Sequence, residues 1–270
     1  VTGAPAAPGV PAQADDLGTV LRATTRDAAL GATGRVEIDS PRVHGSISLT
    51  GARIDDLTLS DYRETVDPDS PPIVLLSPPE TMAPYYVHFG WVGEAGIDTP
   101  TLETVWEADG ALLAPGSPVT LSWTNDQGVT FRQRFSIDEN YMVAVTRSVE
   151  NGSGQAVSFT PFGRVSRFGT PETLGFFILH EGPYGVFDGT LRESSYSTLR
   201  DDGRIEYASS GGWMGFTDKY WLVALAPNQA VPVQASFDHI AVGGQNRYFA
   251  TYAEPAIAVA PGDVFEQTMH

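Results

Sequence analysis

Between Val129 and Ile137 apolar and polar residues alternate. Val129, Phe131, Phe135 and Ile137 share one face, and Thr130, Arg132, Arg134 and Ser136 share the other. Period two with one apolar face predicts a strand buried on one side. Tyr141, Val143, Val145 and Val149 repeat the pattern. Asn151-Gly152-Ser153-Gly154 follows, then Val157 and Phe159 on a return strand. Asn-Gly tolerates positive φ, so this stretch predicts a hairpin. Strand-like runs also lie at His44 to Leu49, Arg53 to Leu59, Ile73 to Leu76, Tyr85 to Val92, Leu102 to Trp106 and Val119 to Trp123. More follow at Phe176 to His180, Arg204 to Tyr207, Tyr220 to Leu225, Val231 to Ile240, Arg247 to Tyr252 and Ala256 to Val259.

The whole reading gives roughly fifteen to twenty strands. One sheet rarely exceeds about ten strands without curling or splitting. The expected fold is therefore all-β, two large sheets packed face to face, with little helix. No internal repeat at a fixed period is present. Val1 to Asp15 is rich in Ala, Pro and Gly without periodicity and reads as a linker or extended tail. Asp16 to Leu30 has loosely helical spacing and reads as a possible short helix. The expected division is a linker and short helix over 1–33 and a β-domain over 34–269.

Composition narrows the function. The 270 residues are 41% hydrophobic, enough for a large core, and Gly (28) and Pro (20) suit many turns. The formal net charge is −17, with 33 acids against 16 bases. Nucleic-acid binding needs clustered Lys and Arg and is not expected. The acidic surface favours a monomer and repulsion from anionic lipid. With no cysteine, disulfides and thiol chemistry are excluded. No run approaches the roughly 20 apolar residues that span a bilayer. The chain lacks an initial Met and stops just after a strand-like run, so it reads as a piece of a longer protein.

Catalytic motifs are missing. His180-Glu181 is followed by Gly182-Pro183 and no second His at zinc-site spacing. No Gly-x-Ser-x-Gly elbow, phosphate loop or dinucleotide fingerprint occurs. The histidines at 44, 88, 180 and 239 lie far apart and read as structural. No catalytic residue, metal or cofactor is expected. Trp213, Tyr220 and Trp221, near Gly211-Gly212, are candidate binding residues, because aromatic platforms stack on sugars or hold extended peptides. The plainer reading makes them core filler. Asp218-Lys219 reads as a surface ion pair worth little.

Three stretches carry a family resemblance: RVEIDSPRVHGSISLTGARIDDLTLSDYRET (Arg35 to Thr65), ETLGFFILHEGPYGVFDGTLRESSY (Glu172 to Tyr196) and GGWMGFTDKYWLVALAP (Gly211 to Pro227). In order and spacing they resemble the periplasmic domain of YidC-type membrane protein insertases, in its alphaproteobacterial form. The resemblance implies a β-supersandwich similar to galactose mutarotase-like folds, on the periplasmic side of the bacterial inner membrane. It implies a non-enzymatic interaction and scaffold domain that assists insertion and folding of inner-membrane proteins, with or beside the Sec translocon. Implied partners are Sec accessory subunits and nascent membrane proteins, met through the full-length protein. The helices that carry insertion are not in this chain, so the fragment by itself should insert nothing. Two rivals remain open at this point. One is a mutarotase-type, aldose-epimerase-like enzyme, which needs a general acid and a general base in one cleft. Adjacent strand residues such as His180 and Glu181 would point to opposite faces and fit that poorly. The other is a free carbohydrate- or peptide-binding module.

Overall fold

The computed structural model describes residues 24–94, 96–171, 180–218 and 220–270. Helix α1 (Arg26–Leu30) precedes β1 (Arg35–Asp39), β2 (Val43–Ser48), β3 (Arg53–Arg63), β4 (Pro72–Leu76) and β5 (Tyr85–Gly93). Next come β6 (Glu107–Ala108), β7 (Leu112–Leu113), β8 (Val119–Thr124), β9 (Val129–Ile137), β10 (Val143–Asn151) and β11 (Val157–Phe168). β12 (Gly182–Phe187) and β13 (Thr190–Glu193) lead into α2 (Tyr196–Asp202). The chain closes with β14 (Arg204–Ser210), β15 (Trp213–Asp218), β16 (Trp221–Leu225), β17 (Pro232–Val242), β18 (Gln245–Ala253), β19 (Ile257–Val259) and β20 (Val264–Met269).

Eleven strands form one sheet, in the order β14-β17-β18-β11-β5-β3-β2-β1-β7, with β19 on β11 and β4 on β3. Facing it are a five-stranded sheet, β20-β10-β9-β8-β6, and a four-stranded sheet, β13-β12-β15-β16. The two smaller sheets meet end to end: Ala226 N–H donates to the His270 carbonyl at 2.6 Å and receives the reciprocal bond at 3.0 Å. They act together as the second layer of a β-sandwich. The core between the layers is one continuous apolar cluster. Over β9 the large sheet contributes Trp91, whose ring lies 5.1 Å from Phe131. Over β12 and β15 it contributes Tyr207, stacked 4.3 Å from Phe187, and Phe237, 6.2 Å from Phe216. The alternation read at β9 is this packing: its apolar face is buried, and Arg134 on the other is exposed.

A fully buried ion pair ties the layers. Arg147 projects from β10 into the core and bonds Glu254, just past β18, at 3.0 Å, with neither side chain exposed. Its guanidinium also donates to the Phe162 carbonyl at 2.7 Å and lies over the Phe89 and Trp91 rings. A second clasp fixes the four-stranded sheet. Asp218, at the end of β15, accepts from Arg167 of β11 at 2.9 Å and from the Tyr196 hydroxyl of α2 at 2.8 Å. Arg167 in turn lies 4.3 Å over the Tyr85 ring. Asp218 thus pairs with a cation of the opposite layer, in a half-buried site; the surface pair expected with Lys219 lies outside the described residues.

Two expectations are corrected. Asn151-Gly152 makes no hairpin, because β10 and β11 belong to different sheets. The buried Asn151 side chain instead donates to the Gln155 and Val259 carbonyls and accepts from Ser153, steering the chain from one layer to the other. Leu102 to Trp106 is a turn with an isolated bridge from Val105 to Thr50, not a strand. Phe176 to Leu179, Val1 to Asp15 and most of the possible helix at Asp16 to Leu30 lie outside the described residues. The sequence reading did not separate out β1, β6, β7, β12, β13, β15 or α2. Helix α2 is short and buries just Tyr196 and Leu199, too few for a period to show, although Ser195 caps it by accepting from Thr198 N–H.

Two measurements test these ties. Glu254→Ala leaves Arg147 buried without its counter-charge and is expected to cost about 3–5 kcal/mol in urea unfolding. The double change Arg147→Met, Glu254→Leu should recover most of it, and equal loss in the double variant would contradict the pairing. Burial raises the Asp218 carboxyl above its ordinary value, outweighing the lowering by Arg167 and the Tyr196 hydroxyl. A carboxyl raised by folding stabilises the fold below the ordinary carboxylate range, and this contribution is lost as pH rises through the folded value. The stability advantage of the unsubstituted chain over Asp218→Asn should therefore be larger at pH 4 than at pH 8.

Candidate functional site

The three aromatic candidates do not form one platform. Trp213 opens β15 opposite Val186, with its ring 5.3 Å from Tyr184. Alternation along β15 puts it on the face opposite Met214 and Phe216, which are buried in the core. Trp221 pairs with Asp218 at the far end of the same hairpin and shares the inner face. Its ring meets Tyr62 of β3 edge-on at 4.7 Å. Tyr220 sits in the connecting turn and is 73% exposed. Gly212, just before β15, holds φ +92°, and a Cβ there would stand 2.0 Å from the Val186 carbonyl oxygen. The glycine pair therefore serves close strand approach.

Trp221 does line a groove, together with residues the sequence reading left out. Its floor is Val43, Leu57, Leu59 and Leu75 of the large sheet, and its walls are Val143 of β10 and Trp221 and Leu222 of β16. Tyr62 and Tyr141 stand at its mouth, each 42% exposed. The groove encloses about 300 Å³. Arg42 lies 5.6 Å over the Tyr141 ring and pairs with Asp61 at 3.8 Å. Leu57, Leu59 and Tyr62 stood in the sequence as a Leu-x-Leu-x-x-Tyr run. That run was legible as a strand, but nothing in it shows that the opposing layer is open there.

The outer face of the large sheet holds a polar cleft of about 370 Å³, lined by Arg164, Asp202, Arg204, Asp238, His239 and Phe249. Arg164 is held between the Phe162 and Phe249 rings, 5.7 and 5.4 Å away. Asp238 pairs with Arg204 at 3.0 Å and accepts from Ser236 at 2.7 Å. His239 Nε2 lies 2.9 Å from the Asn246 side-chain oxygen. The cleft's His and this carboxylate are thus engaged with neighbours rather than aimed at a common point. His180 is similarly occupied. Its Nε2 lies 3.0 Å from the Pro183 carbonyl, which can only accept, and its ring stacks on Tyr184. His180 and Glu181 precede β12 rather than lying on it. Among the described residues no cluster of three His, Asp or Glu side chains is placed to hold a metal. No helix among them is long and apolar enough to cross a membrane.

The fold resembles solved structures of low sequence similarity. A galactose mutarotase-like protein from Lactobacillus casei superposes with a TM-score of 0.54 at 12% identity, covering 87% of this chain and 98% of its own. A protein of Synechocystis sp. PCC 6803 superposes with a TM-score of 0.54 at 10% identity, covering 93% and 97%. These show a shared β-sandwich architecture and no more. Sequence relatives are much nearer. The "Membrane protein insertase YidC" of Bradyrhizobium diazoefficiens is 43% identical over 264 residues, 97% of this chain and 42% of that protein. The protein of that name from Rhizobium meliloti is 45% identical over 266 residues, 97% and 45%. That from Granulibacter bethesdensis is 49% identical over 221 residues, 79% and 38%. The chain thus spans less than half the length of these relatives. The family model described as the YidC periplasmic domain matches residues 35–270, essentially the whole sandwich from β1 to β20. On this match and these identities, the chain belongs to the YidC periplasmic domain family.

Proposed function

We propose that this chain is the periplasmic interaction and scaffold domain of a membrane protein insertase, working on the outer side of the bacterial inner membrane. The observation that carries this reading is the family match over residues 35–270 in a chain less than half as long as its insertase relatives. In this reading residues 1–33 are a tether and short helix, and 34–269 the folded domain. The domain is a monomer without catalytic chemistry. It meets Sec accessory subunits and nascent membrane proteins as part of the full-length protein. The engagement of His180, His239 and Asp238 by their own neighbours supports a binding role over an epimerase role.

Two experiments test it. Photo-crosslinkers placed at exposed sandwich positions of the full-length protein, such as Tyr220 and Leu191, should yield adducts with Sec subunits or nascent chains in membranes. Absence of adducts from every face would overturn the scaffold role. Polarimetry with common aldoses should show mutarotation no faster than in buffer, and a catalysed rate would restore the epimerase reading.

A further inference from the structure

The outer face of the large sheet, turned away from both smaller sheets, combines aromatic rings and cations in an otherwise acidic chain. Across β5, β11 and β18 the registers set Tyr86 beside Ser166 and Phe249, and His88 beside Arg164 and Thr251. Phe168 stands beside Arg247 two residues further along. These side chains alternate with the core residues Val87, Val165 and Tyr248, so they share the outer face. Aromatic rings hold both guanidinium groups in place. Arg247 lies 4.5 Å over Phe168. Arg164, between Phe162 and Phe249, donates through Nε to the Thr251 hydroxyl at 2.9 Å. A guanidinium fixed in this way receives a carboxylate with little further loss of side-chain freedom. At the level between the two arginines, the Ser166 hydroxyl is fully buried and has no hydrogen-bond partner among the described residues. Buried polar groups are rarely left so, which makes this face a place where a further polar group belongs.

The described chain already runs onto this face at its start. Asp56 and Thr58 of β3 point away from Leu57 and Leu59, and Arg26 of α1 bonds to both. Thr24 N–H donates to the Glu80 carbonyl at 2.8 Å, a few residues before β5. The Pro84 carbonyl accepts from Phe168 N–H at 2.9 Å, so the row of Phe168 and Arg247 begins close to where residue 24 stands. We propose that residues 10–23 lie along this outer face. Asp15 and Asp16 meet Arg164 and Arg247, Leu17, Val20 and Leu21 cover the Phe168 and Tyr86 rings, and a backbone group of the segment meets the Ser166 hydroxyl. Charge and reach commit the face to this occupant. Asp15 and Asp16 stand side by side and are the only acids in residues 1–23. From Asp16 to Thr24 the chain can span up to about 28 Å. From Phe168 to Arg164 along β11 is about 13 Å. Being part of the same chain also gives the segment a high effective concentration at the face. The inference goes beyond the reading of residues 1–33 as a tether, since it leaves only those before Val10 free. It stands whichever partners the domain meets.

The whole chain is the object of the test. After correction for intrinsic rates, amide exchange at residues 17–23 should be about tenfold slower than at residues 2–7 of the same molecule. Asp15→Lys together with Asp16→Lys should abolish that difference, while exchange on β9 and β10 stays as it was. Equal exchange of the two stretches in the unsubstituted chain would overturn the proposal, and so would protection that survives the double change. The absence of cysteine permits a second measurement that leaves the arginines and aspartates intact. A nitroxide attached at Ala14→Cys should erase the amide signals of Ser166 and Phe249 and spare those of Thr130 and Arg134 on β9. Signals kept at Ser166 and Phe249, or losses spread over both layers, would contradict the docked segment.

Discussion

The arrangement depends on one interaction, the ion pair of Arg147 and Glu254 in the dry interior. A buried charge is costly unless it is paired and hydrogen-bonded. Here the guanidinium from the second layer finds its carboxylate at the end of β18 and its carbonyl acceptor on β11, both in the large sheet. An apolar contact between layers slides at little cost, whereas this contact fixes one relative position. Packing of Trp91 against Phe131 and of Phe159 against Phe131 and Phe265 follows from that position. Burial raises the Glu254 carboxyl, with Arg147 pulling the other way, so the charged pair survives by geometry rather than by any gain from being buried.

At the other end of the sandwich the Asp218–Arg167 clasp does comparable work with more solvent. It joins three pieces distant in sequence: β11, the β15–β16 hairpin and α2. It also explains why the aromatic candidates separate. The clasp turns Asp218 and Trp221 inward, so Trp221 reaches the large sheet at Tyr62, while Trp213 is left on the outer face of the same hairpin.

Much of the fold was legible because alternation is a local signal. β9 is read residue for residue, and the strands β5, β8, β16, β17 and β18 within a residue or two at most ends. What failed was long-range. Asn151-Gly152 has the composition of a hairpin, yet which sheet the next strand joins is decided by a buried Asn side chain bonded 108 residues away at Val259. The family was legible from three short stretches in order. The groove was not, since its lining comes from β2, β3, β4, β10 and β16, elements far apart in sequence. Arg147 and Glu254 were equally invisible: a lone Arg in an apolar alternating strand gives no hint of its partner.

A two-layer sandwich shared with mutarotase-like proteins carries no function by itself. Among the described residues, His180, His239 and Asp238 are each engaged by a neighbour of their own rather than converging on one point. The most direct measurement is quantitative recovery of Sec accessory subunits with the full-length protein purified from membranes, with and without residues 35–270. The account predicts that recovery falls several-fold when these residues are removed while the rest of the protein stays folded. Undiminished recovery would contradict the assignment of this domain as an interaction scaffold.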